Sequence, residues 1–476
     1  MGRYLTWRDL AIIVLFSLSV FFLSFQLRDA SCTPLYNFGS DSNLYIDLAQ
    51  NLLHHRFLRY SPGIGYPGVT LRTTNPDYIH DLVLMPGYPL LLAIAYVVHD
   101  SPWTPYVLAY VLFLIMSIVV FLLGNLLYSE KLRPRVLWTS FIVYQMLQPI
   151  LILQLQAIGQ DFAATVFVAM ALLALVWLFK SRGPGWRQAL LLYAASAGML
   201  FVRSNMAAFL FPLLAGSLWI AWQLENPGRL RILLGAFLVS LLVLGLWGTY
   251  LKSLTGRFML GANQGFGMYI NYAYYLLPQA DVQSDIAQIT HEFQERLKET
   301  GSADLAVLGA NDSYQQKALD FIRHHHRLAI RTAWYNLKEI LIGKDHFWMP
   351  RLVALRLAGL PMAQNETDFW TLYKEMGHGW RRHIYDALER ICYFIYVLVP
   401  LFSLGLMSLY FLKTLFRRFE ISEDALPWMI VGLSAVSSLI FLVATGFVVA
   451  QARYRLPTAA ISYTAFLGVL SLWQTL

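Results

Sequence analysis

The sequence has few charged residues for its length. Of its 476 residues, 13% are charged and 57% are hydrophobic, whereas a soluble globular domain carries about 25% charged residues. A chain of this length with so few charged residues cannot form a surface that is polar enough to be solvated by water. We therefore expect an integral membrane protein, and the 15% of aromatic residues fits rings placed at the two membrane interfaces.

Cysteine is almost absent, and several common motifs are missing. The two cysteines, Cys32 and Cys392, exclude a disulfide framework and a thiolate metal site, although they leave open one bridge between them. There is no P-loop and no His-Glu-x-x-His. The glycines Gly261, Gly265 and Gly267 do not form a nucleotide fingerprint, because no predicted strand precedes them.

The net charge of +8 does not indicate a nucleic-acid partner. The basic residues lie in short clusters between apolar runs, which is the pattern of cytoplasmic loops. These clusters are Arg3/Arg8, Lys131/Arg133/Arg135, Lys180/Arg182/Arg187, Arg229/Arg231 and Lys413/Arg417/Arg418.

Apolar runs predict ten membrane-spanning helices, each near the roughly 20 residues that a span needs. They are 10–27, 105–128, 136–153, 161–179, 188–202, 204–222, 230–251, 391–412, 426–450 and 456–473. An eleventh run, 83–98, is shorter and begins with a Pro-Gly-Tyr-Pro turn. If it does not span, all five basic clusters fall on one side of the membrane. We therefore predict that it lies along the outer surface and that both termini are inside.

This topology leaves two long outer segments and suggests three parts of the chain. Residues 1–252 form a transmembrane core that includes the outer loop 28–104, residues 253–388 form a mainly helical extracytoplasmic domain, and residues 389–476 form the C-terminal transmembrane helices. Within the second outer segment, 284–299 and 312–342 are predicted helices, the latter capped by Asp312 or Ser313. The run His324-His325-His326 is predicted to be surface, because adjacent helical residues point in different directions.

Two carboxylates lie near the predicted outer face. A predicted helix begins at Ser40 or Asp41, so Asp41 is an N-cap or a reactive group, and one residue can be both. Asp161 opens the fourth span, where the helix dipole favours an acid even without a catalytic role.

Three arginines lie on the outer side, against the positive-inside bias. Arg203 interrupts a long apolar stretch, and Arg453 and Arg455 lie between the last two spans. Either they reach to lipid headgroups, or they hold an anion such as a lipid-linked phosphate, for which the guanidinium fork is suited.

The order of these features resembles a known family. A first helix is followed by Asp-Ser-Asn-Leu-Tyr-Ile-Asp (41–47), then Met-Pro-Gly-Tyr-Pro (85–89), an acid opening a span, an Arg between short spans, and Ala-Arg-Tyr-Arg-Leu-Pro (452–457). Over most of 1–270 and 391–460 the chain resembles the C-type (GT-C) glycosyltransferases. Within them it is most similar to bacterial enzymes like dolichyl-phosphate-mannose-protein mannosyltransferases and lipid A aminoarabinose transferases. The fold expected is therefore an all-α, GT-C-like membrane bundle.

The resemblance implies transfer of a sugar from a polyprenyl-phosphate donor on the periplasmic, outer face of what we expect to be a bacterial inner membrane. Asp41 would be the general base, Asp161 would orient the acceptor or assist the base, and Arg203 with Arg453 or Arg455 would hold the donor phosphate. Further candidates for substrate binding in the first outer segment are Tyr45, His54, His80, Asp81 and Tyr88.

The expected acceptor is a lipid-linked glycan, a lipopolysaccharide, another lipid or a protein. Asp41-Ser42 stands where protein O-mannosyltransferases have Asp-Glu, which argues against a protein acceptor. Loss of a phosphate leaving group opposite the attacking hydroxyl predicts inversion at the anomeric carbon. A divalent metal is compatible with this chemistry but is not required, and no metal ligands are assigned.

Other function classes remain open from the sequence. A flippase or transporter of a lipid-linked sugar would also need arginines near phosphate, although the internal repeats common in transporters are not visible. A glycan polymerase would use arginines without needing Asp41. A non-catalytic membrane subunit would need neither.

Overall fold

The structure, a computed structural model, describes residues 5–26, 41–56, 58–61, 79–80, 85–146, 155, 159–181, 183, 185–261, 264–274, 276–342, 380–416, 425–446 and 458–475. Over these residues the chain is almost entirely helical, which confirms the all-α prediction. One exception is a two-residue antiparallel pair, β1 (Arg59–Tyr60) with β2 (Ile79–His80), which the sequence analysis did not predict.

The first half of the chain begins with one long helix, α1, which is followed by two shorter helices, α2 and α3, in the first outer segment. The bounds are α1 Trp7–Gln26, α2 Asp41–His55, α3 Gly87–Val98, α4 Thr104–Tyr128, α5 Pro134–Phe141, α6 Gln160–Lys180, α7 Trp186–Val202, α8 Ala207–Gln223 and α9 Pro227–Thr255. A π-helical turn, Ile142–Met146, continues α5, and a 3₁₀ turn, Ser204–Met206, precedes α8.

The second half contains the helices of the second outer segment and then the C-terminal helices. The bounds are α10 Gln264–Tyr269, α11 Gln279–Thr300, α12 Ala303–His324, α13 His326–Ile342, α14 Trp380–Tyr393, α15 Val399–Phe416, α16 Leu426–Gly446 and α17 Ala459–Thr475. π-helical turns follow α10 at Ile270–Tyr274 and join α14 to α15 at Phe394–Leu398.

Each of the ten predicted apolar runs is helical over its described part. Within the part of the chain that the structure describes, seven helices are long and apolar enough to cross a membrane: Trp7–Ser24, Thr104–Tyr128, Gln160–Lys180, Ser204–Gln223, Pro227–Thr255, Tyr385–Leu415 and Trp428–Thr445. The runs at α5, α7 and α17 give shorter helices within the described residues.

The lipid-facing surface is visible on α9. Five of its leucines are about half exposed or more: Leu234, Leu238, Leu241, Leu242 and Leu246. A contiguous apolar surface of this kind is disfavoured in water but is expected against acyl chains. The protein is accordingly an integral membrane protein.

The helix α3 is too short to cross a bilayer. Its 12 residues extend about 18 Å at 1.5 Å per residue, against a hydrocarbon core of about 30 Å. Leu90, Ile94 and Val97 are exposed at 38%, 54% and 70% and share one face at i, i+4 and i+7 spacing. This length and this apolar face agree with a helix lying along the membrane surface.

The second outer segment is mainly helical where it is described, and the predicted helix 284–299 lies within α11, but the predicted helix 312–342 is wrong. The chain forms two helices there, α12 and α13, separated at His325. The start of α12 is capped by Ser302, whose hydroxyl accepts a hydrogen bond from the backbone N–H of Leu305. Asp312 and Ser313, the predicted caps, lie inside α12, where Asp312 pairs with Arg257 and Ser313 donates to Glu292.

Basic residues on the predicted cytoplasmic side fix helix ends. The Arg229 guanidinium donates to the carbonyl oxygens of Phe179 and Ser181 at 3.2 and 3.0 Å, which are among the last acceptors of α6. Lys180 donates to the Leu126 carbonyl near the end of α4. A cation suits the C-terminal end of a helix, where unpaired carbonyls and the dipole are negative.

Candidate functional site

The two residues predicted at the ends of separate spans, Asp161 and Arg203, form a buried ion pair between Asp161 Oδ1 and Arg203 Nη1. Asp161 lies in the first turn of α6, and Arg203 directly follows α7. Because α6 and α7 form an antiparallel hairpin, the start of one helix lies beside the end of the other. The residues are only 7% and 5% exposed.

The surroundings of Arg203 hold its side chain in place. Its Nε donates to Asn205 Oδ1 at 2.8 Å, and its backbone N–H donates to the Met199 carbonyl. Removing one member of a buried pair leaves an uncompensated charge, which is strongly destabilising. Asp161 and Asn205 therefore hold the Arg203 guanidinium at a fixed position near the predicted outer end of the bundle.

A tyrosine of the Pro-Gly-Tyr-Pro turn connects this pair to α3. The Tyr88 ring is 2% exposed, and its hydroxyl lies near the backbone of Gly159, two residues before Asp161. Burial raises the pKa of the Tyr88 hydroxyl above its usual value, so the group is a neutral phenol at physiological pH. Its contacts attach the start of α3 to the start of α6.

Gly87 allows α3 to approach the end of α7. A Cβ at this position would lie 2.5 Å from the Phe201 carbonyl oxygen and 2.8 Å from the Val202 backbone nitrogen. Such contacts are too short for any side chain without a shift of the backbone. The glycine of the turn thus lets α3 pack directly against the residues that precede Arg203.

The helix α2 joins the same group of elements through Tyr45. The Tyr45 and Tyr88 rings meet edge to face, with centroids 5.0 Å apart and an interplanar angle of 87°. Asp41 is the first residue of α2, one turn before Tyr45 and on the same face of the helix. The predicted helix start at Asp41 is therefore confirmed, while the contacts of its side chain lie outside the described part of the structure.

Tyr45 and Tyr88 are each 2% exposed, and their buried rings hold α2 and α3 together. Their predicted role in substrate binding stays a prediction. Another of these candidates, His54, is exposed near the end of α2, where its Nε2 lies 3.0 Å from Gln50 Oε1.

The remaining predicted site residues are only partly described or lie outside the described residues. His80 contributes its backbone to β2, opposite Arg59, but its side chain is not described. Asp81, Arg453 and Arg455 lie outside the described residues.

The sequence analysis missed a polar network on α2. Asp47 accepts hydrogen bonds from the backbone N–H and hydroxyl of Ser61 at 2.8 and 2.5 Å, and Asn51 Nδ2 donates to the Arg59 carbonyl at 2.8 Å. The Asn51 amide also donates to Asp47 at 3.2 Å. These bonds attach the β1 segment to α2. The i, i+4 spacing of an acid and an amide on a helix was the signal that could have identified the pair.

Within the described residues, no group of three or more His, Cys, Asp or Glu side chains is placed to hold a metal ion. His324, His325 and His326 are all exposed, which confirms the surface prediction.

No family model matches the sequence, and no curated protein matches it. Among solved structures, the chain is similar to ArnT from Cupriavidus metallidurans bound to undecaprenyl phosphate, with a TM-score of 0.42 and 12% identity over 92% of this chain and 77% of ArnT. The apo form of the same ArnT gives a TM-score of 0.38 at 12% identity over the same shares.

The chain is also similar to the archaeal oligosaccharyltransferase AglB from Archaeoglobus fulgidus in complex with an inhibitory peptide and a dolichol-phosphate. The TM-score is 0.48 and the identity 12% over 98% of this chain and 51% of AglB, so the chain spans about half the length of AglB. These values describe a low overall similarity.

Proposed function

We propose that the protein is an inverting glycosyltransferase that moves a sugar from a polyprenyl-phosphate donor to an acceptor on the extracytoplasmic face of the membrane. One observation carries the proposal. Four segments whose order resembles GT-C glycosyltransferases converge in the fold, through Tyr45, Tyr88, Asp161 and Arg203. Carboxylate, guanidinium and polar helix ends are thereby gathered at one end of the bundle.

In the proposed reaction, an acceptor hydroxyl attacks the anomeric carbon of the donor sugar. Asp41 takes the proton of the hydroxyl as the new C–O bond forms, and the bond from the anomeric carbon to the phosphate oxygen breaks. The lipid phosphate leaves with the bonding electrons, and the anomeric configuration inverts. A positioned base of this kind contributes about 10²–10⁴-fold to the rate.

Arg203 would stabilise the negative charge that develops on the departing phosphate, with Arg453 or Arg455 as a second cation. The ion pair gives Asp161 a more specific task than the sequence suggested. Its carboxylate sets the position of the Arg203 guanidinium, so we assign it to orienting the phosphate site rather than to proton transfer.

The acceptor is proposed to be a lipid-linked glycan, a lipopolysaccharide or a similar envelope molecule. The Asp41-Ser42 sequence, where protein O-mannosyltransferases have Asp-Glu, disfavours a protein acceptor. The buried ring contacts of Tyr45 and Tyr88 fix the helix that begins at Asp41 relative to Asp161 and Arg203.

The phosphate role can be tested by binding of undecaprenyl phosphate, the lipid named in the ArnT structure, to purified protein in nanodiscs. Arg203→Lys keeps the charge beside Asp161 but removes the bidentate fork, so we expect binding to weaken at least tenfold. Arg257→Lys is the matched control, because Arg257 is an exposed arginine that also pairs with an acid, Asp312, at 2.6 Å. Unchanged binding in Arg203→Lys would contradict the assignment.

The base role predicts a different pattern for Asp41→Asn. This variant should bind undecaprenyl phosphate normally but fail to transfer sugar. The control Asp281→Asn, at an exposed acid on α11, should bind the lipid and transfer sugar like the wild-type protein. Movement of intact lipid-linked sugar across the membrane without release of lipid phosphate would instead indicate a flippase.

A further inference from the structure

The helix α13, in the second outer segment, packs one face against a helix that can span the membrane. Ala329, Asn336 and Ile340 are 5%, 3% and 0% exposed, and α13 contacts α16 and the turn Phe394–Leu398. Both of these partners belong to segments long and apolar enough to cross a bilayer. The helix therefore lies directly beside the transmembrane bundle.

A second face of α13 carries large apolar side chains that no described residue covers. Ile330 and Trp334 are 68% and 69% exposed, and Leu337 is half-buried. Their i, i+4 and i+7 spacing places them in one stripe along the helix. An exposed stripe with a Trp is poorly suited to water but is typical of a helix at a membrane interface.

A third face carries positive charge. Arg327, Arg331 and Lys338 are all exposed and share a face at i, i+4 and i+11. At about 100° per residue, this basic face lies next to the apolar stripe and farther from the face buried on α16. Around the helix, the face buried against the bundle is therefore followed by the apolar stripe and then by the basic face.

The geometry points to α13 as an interfacial helix that docks on the lipid headgroup layer of the bilayer. Its apolar stripe enters the boundary between headgroups and acyl chains, and Arg327, Arg331 and Lys338 contact headgroup phosphates. Charge complementarity favours anionic lipids over zwitterionic ones. The neighbouring spanning helix α16 fixes α13 at the edge of the bundle, where lipid begins.

The fold already contains a helix of this type. In α3, Leu90, Ile94 and Val97 form an exposed stripe of the same spacing. The inference for α13 is independent of the proposed glycosyltransferase activity. It assigns the residues 326–342 to the membrane surface.

Spin labels in nanodiscs test this placement directly. In a background with Cys32→Ser and Cys392→Ser, single cysteines are introduced at Ile330 and Trp334, with Leu242→Cys on α9 as the lipid-exposed control and Glu295→Cys on α11 as the water-exposed control. The relative accessibility to oxygen and to a water-soluble nickel chelate gives the depth of each label. We expect labels at 330 and 334 to favour oxygen, as the label at 242 does.

The proposal fails if labels at 330 and 334 give the nickel accessibility of the label at 295. It also fails if neither reagent reaches them, since that would mean that protein covers the stripe. If one of the two variants does not fold, the other decides the outcome.

The contact between the basic face and lipid headgroups is tested by the dependence of label depth on anionic lipid. With the label at 334, adding phosphatidylglycerol to phosphatidylcholine discs should deepen the label, and Arg327→Gln/Arg331→Gln/Lys338→Gln should remove this dependence. An equal response in both proteins would overturn the assignment of the basic residues to headgroup phosphates.

Discussion

At the residue scale, the ion pair between Asp161 and Arg203 joins two side chains that the sequence had assigned to separate tasks. Both residues lie at helix ends and both are buried. The charge of each is compensated by the other, so neither side chain can be understood alone. The same guanidinium that is proposed to meet phosphate also maintains the α6–α7 hairpin.

This coupling predicts a non-additive double-mutant cycle. Asp161→Asn should destabilise the protein by about 3–5 kcal/mol, because it leaves a buried guanidinium without its counter-charge. The double variant Asp161→Asn/Arg203→Gln should be more stable than the sum of the single effects by about 0.5–3 kcal/mol. The free energy of unfolding in detergent is the measurement, and additive single effects would argue against the pair.

The pairing itself could not be read from the sequence. The topology placed both residues near the outer face, but a single sequence does not reveal which helix ends touch, and 42 residues separate the two positions (203 minus 161). Asp47 was missed for a related reason. Its partner Ser61 lies in a loop, where no periodic pattern constrains the contact.

At the scale of helices, Gly87 decides how closely α3 packs on α7. Gly87→Ala would place a Cβ against the Phe201 carbonyl and the Val202 nitrogen, so α3 must move and Tyr88 must lose its place beside Gly159. We expect a lower melting temperature and at least tenfold slower sugar transfer.

The control for Gly87→Ala is Gly245→Ala in α9, where nothing lies within 4 Å of the added Cβ. There alanine should be neutral or stabilise the helix by up to about 1 kcal/mol. Equal effects of the two substitutions would show that the close approach at Gly87 has no consequence.

The end of α6 depends on a residue from another helix. Arg229→Leu removes the hydrogen bonds to the Phe179 and Ser181 carbonyls, and we expect a loss of about 1–3 kcal/mol in the free energy of unfolding. Arg231→Leu, two residues on and exposed, should change it by no more than about 0.5 kcal/mol. Thermal denaturation of both variants in detergent compares them, and a similar effect at both positions would assign the stabilisation to net charge instead.

Helix positions were predictable where hydrophobicity alone sets them. The run 105–128 corresponds to α4 at Thr104–Tyr128, and 161–179 to α6 at Gln160–Lys180. In the polar second outer segment the predicted helix 284–299 lies within α11, whereas the predicted helix 312–342 was wrong, because helix ends there depend on local caps. Gly301, in a left-handed conformation, ends α11, and Ser302 begins α12, a Gly-Ser pair that the sequence analysis passed over.

At the scale of the whole molecule, the proposed chemistry depends on sidedness. The basic clusters predict that the loop after α4 is cytoplasmic and that the residues after α3 are outside. In a protein without Cys32 and Cys392, a cysteine at Asp100 should react with a membrane-impermeant thiol reagent on intact spheroplasts. A cysteine at Glu130 should react only after permeabilisation.

Both residues are exposed in the structure, so a missing reaction would report the membrane rather than burial. Labelling of position 130 and not position 100 would reverse the topology and place the site in the cytoplasm. Labelling of both in intact spheroplasts would mean that α4 does not separate them.

The proposed reaction cleaves the bond between the sugar and the lipid phosphate. The most direct measurement is acceptor-dependent release of undecaprenyl phosphate from undecaprenyl-phosphate sugars by purified protein, with crude envelope lipids and glycans as acceptor. We expect release by the wild-type protein, loss of at least 100-fold in Asp41→Asn, as expected for a general base, and normal release by Asp281→Asn. Normal turnover by Asp41→Asn, or no release by the wild-type protein from any such donor, would contradict the proposed reaction.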